Sequence, residues 1–123
     1  MNRIVNIRRI IVHGRILHAI PQILWPSEFV YIGRSRGELI GRWGNPFDVD
    51  HQTTREQVMD QYSTWLGRRI CETPGFAEDL IALDGKILVC WCAPLPCHGD
   101  IMAKQIAEMV TEMPNILDPR REP

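Results

Sequence analysis

The sequence predicts an α/β domain: a small, mostly parallel sheet flanked by helices in a Rossmann-like three-layer arrangement. Three observations lead there. Short β-branched and aromatic runs alternate with segments of helical periodicity. Lys86–Cys92 (KILVCWC) is a continuous apolar run, as a strand covered on both faces requires. The chain has 123 residues, enough for one domain with a real core. That domain is expected over residues 1–113, with residues 114–123 as a frayed polar tail.

Taken in order, Arg3–Ile7 reads as a first strand. In Ile10–Ile20, His13-Gly14 is read as the turn of a hairpin between Ile10–Val12 and Arg15–Leu17, with a poorly capped helix as the alternative. Pro21, Trp25 and Pro26 mark a connecting loop. Phe29–Gly33 is a second core strand, stopped by its glycine. Arg34–Phe47 (RSRGELIGRWGNPF) carries too many breakers for a regular element. Its glycines would let backbone approach a ligand, and its arginines would supply charge. Thr53–Leu66 is expected to be a helix, with a Thr53/Glu56 capping box, an apolar face through Tyr62 and Trp65, and Gly67 just past its end. Pro74–Leu83 starts a second helix at its proline. Cys71, between the two, reads as an inert buried thiol. The strand Lys86–Cys92 then enters a turn, Ala93–Pro96, whose prolines can continue neither element. A last helix runs from Gly99 until Pro114 closes it.

Charge and cysteine usage narrow the function. Net charge is −1, which excludes a protein that coats nucleic acid by bulk charge. Yet residues 1–42 hold Arg3, Arg8, Arg9, Arg15, Arg34, Arg36 and Arg42 against only Glu28 and Glu38. An arginine-rich third of this kind suits a phosphate, a nucleic acid or an acidic protein partner. No apolar run approaches the roughly 18–20 residues that span a bilayer. Arginines interrupt the apolar residues of the N-terminus, so no secretory leader is read there. A cytoplasmic location, no membrane partner and reduced cysteines are expected.

In a parallel sheet, ligands bind outside the carboxyl ends of the strands. Both unusual loops, Arg34–Phe47 and Ala93–His98, follow strand ends, so they are expected to share one mouth. A small anionic molecule is the expected guest, drawn by the helix start near Gly99. Gly33, Arg34, Arg42, Trp43, Gly44, Asn45, Pro46, Arg55 and Cys92 are the candidate ligand-binding residues, with Trp43 covering a ring. Cys97, His98 and Asp100 are the candidate catalytic residues: a thiol activated near a helix start, a general acid or base, and an acid that orients it or caps the helix. Metal is the alternative. Cys90, Cys92, Cys97 and His98 have the composition of a structural zinc site, although Cys90 and Cys92 are spaced too closely for a usual zinc knuckle. Three function classes therefore stay open: a nucleotide-processing hydrolase or transferase, a zinc-stabilised module binding nucleic acid or protein without catalysis, and an interaction protein that sets its arginine-rich N-terminal third on an acidic partner.

Five motifs carry a family resemblance: VNIR (Val5–Arg8), VYIGR (Val30–Arg34), WGNPF (Trp43–Phe47), TRE (Thr54–Glu56) and GKILVCWCAPLPCHGD (Gly85–Asp100). In this order, and covering nearly the whole chain, they resemble the domain-of-unknown-function family 4326, common in phages and bacteria. The chain departs from it between about Ile10 and Glu28, which is longer here. The resemblance implies an α/β fold with these motifs grouped at one site, and it implies no particular activity.

Overall fold

The computed structural model describes residues 2–47, 53–93, 95 and 97–117. Along the chain come β1 (Arg3–Asn6), β2 (Ile11–Val12), β3 (Arg15–Ile16), β4 (Phe29–Tyr31), α1 (Arg55–Glu72), α2 (Phe76–Ile81), β5 (Ile87–Cys90) and α3 (His98–Leu117). Strands β1, β5 and β4 form a parallel sheet in that order, with Val5 and Tyr31 both opposite Val89. This is the predicted α/β architecture. The central strand is the apolar run that the sequence marks as doubly covered, and Leu88, Val89 and Cys90 are all buried.

Side chains alternate across the pleat of β5. Leu88 and Cys90 face the helices and join Ile32, Tyr62, Leu66, Phe76, Leu80, Met102 and Ile106. Val89 and Trp91 face the other way, toward Ile7, Leu17, Tyr31 and Leu39. The sheet is thus covered on one face by α1–α3. Short 3-10 turns and the β2–β3 hairpin cover the other. His13 and Gly14 both take positive φ (50° and 77°), the conformation a tight two-residue hairpin turn demands.

Several local expectations shift. The capping box of α1 is Thr54/Gln57, one residue later than Thr53/Glu56, because the extended backbone of Thr54 points its hydroxyl at the Gln57 amide. The helix does not stop at Gly67 but runs on to Glu72. The extra turn holds its own contacts: Ile70 packs on the core, and the Arg69 guanidinium lies over Trp65 and Phe76. These outweigh the ~1 kcal/mol cost of one helical glycine. Cys71, expected to be buried between helices, lies exposed on that last turn. Helix α2 starts at Phe76 rather than Pro74, because Gly75 is left-handed (φ 81°) and breaks any earlier turn. Helix α3 passes through Pro114 to Leu117. A proline that close to a helix end removes a single i→i−4 bond. The expected tail falls partly within this helix, and residues 118–123 lie outside the described residues.

Candidate functional site

The strand ends β4 and β5 leave the sheet side by side and frame a cavity of about 430 Å³. Gly33, Arg34, Arg36, Asn45 and Phe47 line it from the loop after β4. Cys90, Trp91, Cys92, Cys97 and His98 line it from the turn after β5, and Arg55, Val58 and Met59 from α1. The two loops therefore share one mouth. Of the turn itself, Pro94 and Pro96 lie outside the described residues.

At the floor of the cavity, the Sγ atoms of Cys90 and Cys97 are 3.8 Å apart. Cys90 is the last residue of β5, and Cys97 immediately precedes α3. Hydrogen bonding from Cys97, helped by the Ala93 and Cys92 amides, overcomes burial and lowers the Cys90 thiol to about 6. Cys97, bonded to that sulfur and itself buried, is held far above the ordinary thiol range. Of the two sulfurs, Cys90 is the one that gives up its proton more readily.

The start of α3 is closed by the chain's own groups. Cys97 Sγ accepts from the Gly99 amide (3.4 Å), and the Asp100 carboxylate accepts from the Cys97 amide (2.9 Å). These groups occupy first-turn amides that the sequence offers to a ligand anion. Asp100 is a capping residue and does not line the cavity. His98 is buried, with its ring edge-on to Tyr62, and its Nε2–H donates to the Ile32 carbonyl at 2.6 Å. Burial lowers its pKa below the ordinary histidine value, opposed by the hydrogen bond to Ile32 and aided by the Arg34 charge. It ties α3 to the end of β4.

The glycine and arginine loop folds against itself. A Cβ on Gly41 would collide with the Gly33 carbonyl oxygen and the Arg34 backbone, and one on Gly44 would lie 2.8 Å from Arg34 Cα. These glycines serve close backbone packing, where the sequence suggested approach to a ligand. Arg34 braces the same loop, its Nε donating to the Asn45 carbonyl (2.6 Å) and its Nη2 to that of Phe47. Asn45 Oδ1 in turn accepts from the Phe47 amide.

Gly33, Arg34, Asn45, Arg55, Cys92, Cys97 and His98 thus all line the cavity. Arg42, Trp43, Gly44, Pro46 and Asp100 are not among the residues lining the cavity. Arg42 pairs with Asp79 of α2 and lies over Trp43. Trp43, expected in the open, is 5% exposed, packs on Phe76 and gives its carbonyl to the Tyr62 hydroxyl. Large apolar area wins a place in the core even from inside a loop.

Trp91 lines the cavity together with Tyr31 and Phe47. The guanidinium carbons of Arg36 and Arg8 lie 4.6 and 5.1 Å from its ring centroid, and its Nε1–H donates to Tyr31 Oη. The Tyr31 hydroxyl donates onward to the Arg34 carbonyl, and burial raises its pKa. Asn6 is not among the residues expected at the site. Its Nδ2 donates to the carbonyls of Trp91 and Ala93, pinning the turn that carries the thiols. Its place within VNIR was the available signal.

The zinc set does not assemble. His98 Nε2 is committed to a carbonyl, and among the described residues no group of three or more His, Cys, Asp or Glu side chains could hold a metal. Nor does any helix among the described residues have the length and apolarity to cross a membrane.

A family model, Domain of unknown function (DUF4326), matches residues 17–108, and the chain belongs to this family. No curated protein and no solved structure matched it.

Proposed function

We propose that this DUF4326 member is an enzyme that binds a phosphate-bearing, nucleotide-like molecule in the cavity between β4 and β5 and acts on it by hydrolysis or group transfer. One observation carries the reading: a buried thiol pair, an aromatic ring and arginines all face the same space. Arg36 and Arg55 meet the anionic group, and Trp91 borders the ring of the ligand. The thiolate sulfur bonds to the electrophilic carbon or phosphorus, while the remaining S–H gives its proton to the leaving group. Water then releases the bound group as its hydroxyl product and returns one proton to the pair, so the cycle balances. His98 and Asp100 position this pair. The chemistry needs reduced thiols, which a cytoplasmic location would supply.

Thermal-shift titration with nucleoside monophosphates and the matching nucleosides tests the binding step. The phosphate-bearing form is expected to raise Tm, since a ligand at a hundred times its Kd stabilises by about 2.7 kcal/mol. No shift with any nucleotide at millimolar concentration rejects the reading. For any ligand so found, Cys97→Ser is expected to abolish turnover with Tm nearly unchanged, because serine caps a helix at least as well as cysteine.

A further inference from the structure

Two cysteines in van der Waals contact, one closing a central strand and one opening a helix, need no ligand to react with each other. We infer that Cys90 and Cys97 are a site of reversible oxidative modification, closed to a disulfide by hydroperoxides that enter through the cavity.

The geometry supports this in three ways. The sulfurs lie 3.8 Å apart and come from two elements pinned independently, β5 by its two neighbours in the sheet and α3 by the bond from His98 to Ile32. Both cysteines line the cavity, so a molecule the size of hydrogen peroxide reaches them although each is at most 3% exposed. Backbone amides point at both sulfurs: Cys92 and Ala93 at Cys90, and Gly99 at Cys97. Amides so placed favour the thiolate, which is the form that attacks a peroxide.

The step balances. One sulfur takes an oxygen from the peroxide, becoming a sulfenic acid as the other oxygen leaves as water. The second thiol then attacks that sulfenic sulfur and expels a second water. Two thiols and one peroxide thus give one disulfide and two waters. The protein loses two hydrogens, and the sulfur that serves as nucleophile is sealed. A dithiol reductant restores both thiols.

The test uses the reduced, ligand-free full chain exposed to stoichiometric hydrogen peroxide, followed by thiol counting and peptide mapping without reduction. The expected product is 2 Da lighter, retains thiols at Cys71 and Cys92, and contains a crosslink between the peptides of Cys90 and Cys97. Dithiothreitol should reverse it. In Cys97→Ser the crosslink should vanish, and a dimedone adduct should appear on Cys90. Oxidation of the exposed Cys71 while Cys90 and Cys97 remain thiols overturns the inference, as does a crosslink that includes Cys92. No nucleotide enters this experiment, so its outcome is separate from that of the ligand titration.

Discussion

The loop after β4 and the turn after β5 leave adjacent parallel strands and border the same cavity, yet they spend their polar groups differently. In the loop, Arg34 gives its donors to the carbonyls of Asn45 and Phe47, and Gly41 lets residues 33–35 and 41–44 touch backbone to backbone. In the turn, Asn6 donates to the Trp91 and Ala93 carbonyls and the Asp100 carboxylate accepts from the Cys97 amide, which fixes the backbone with two sulfurs facing the cavity. The loop is a wall and the turn holds the reactive groups. A residue type suited to ligands can instead be spent on holding the fold, as the Arg34 donors are.

The comparison breaks most sharply at Gly41. If the loop is a wall built by backbone contact, Gly41→Ala forces the Gly33–Ser35 segment aside. The expected loss is about 3 kcal/mol in urea denaturation, at the upper end of overpacking effects. A loss under about 0.5 kcal/mol would mean that the loop is loose and that its glycines serve something other than packing.

On the other side stands His98. Removing its ring leaves the Ile32 carbonyl without its partner, and His98→Ala is expected to cost about 1–3 kcal/mol. The pH dependence is more specific. Burial lowers the folded-state pKa of His98 below the ordinary value of 6.5, so below that pH the unfolded chain binds the extra proton first. Stability therefore falls as pH drops from 6.5 toward the folded-state value. His98→Gln keeps an amide donor but cannot titrate, and the difference between it and the parent should shrink as pH falls through that window. Cys90 adds its own slope, with stability falling as pH drops from 9 to about 6, in parent and variant alike. The difference between the two chains thus isolates the histidine. A constant difference at all pH values rejects the assignment.

The difference between the two regions also explains what could be read from the chain. The parallel sheet followed from β5, because a strand buried on both faces writes its burial as an unbroken apolar run. The shared mouth followed from topology alone. The roles inside the mouth did not. Trp43 and Trp91 both lie in segments that follow strands of the sheet, and only the packed structure shows that Trp43 fills the space beside Phe76 while Trp91 reaches the cavity. Alternation along β5 did place Trp91 opposite Cys90 and Cys92, but a side chain on the far face of a short strand can still edge into a cavity at the strand's end. Likewise, sequence spacing cannot show that Cys90 and Cys97 touch, since that depends on the angle at which α3 meets the sheet.

The smallest expected effect is at Arg42, and it sharpens the comparison because the sequence ranks Arg42 beside Arg34 and Arg36. Its guanidinium pairs with Asp79, and the side chains of this pair are 56% and 49% exposed. Ion pairs that open to water contribute about 0–1 kcal/mol, so Arg42→Ala should move stability by about 0.5 kcal/mol or less. It should leave nucleotide affinity unchanged. Arg36→Ala, from the same loop but beside Trp91 in the cavity, should weaken that affinity about tenfold, the equivalent of one charge-assisted hydrogen bond. Calorimetric titration of the two variants with the same nucleotide separates wall from site within a single loop. Equal weakening by both would place the ligand in a second cavity, lined by Arg36, Arg42 and Trp43 and away from the thiols.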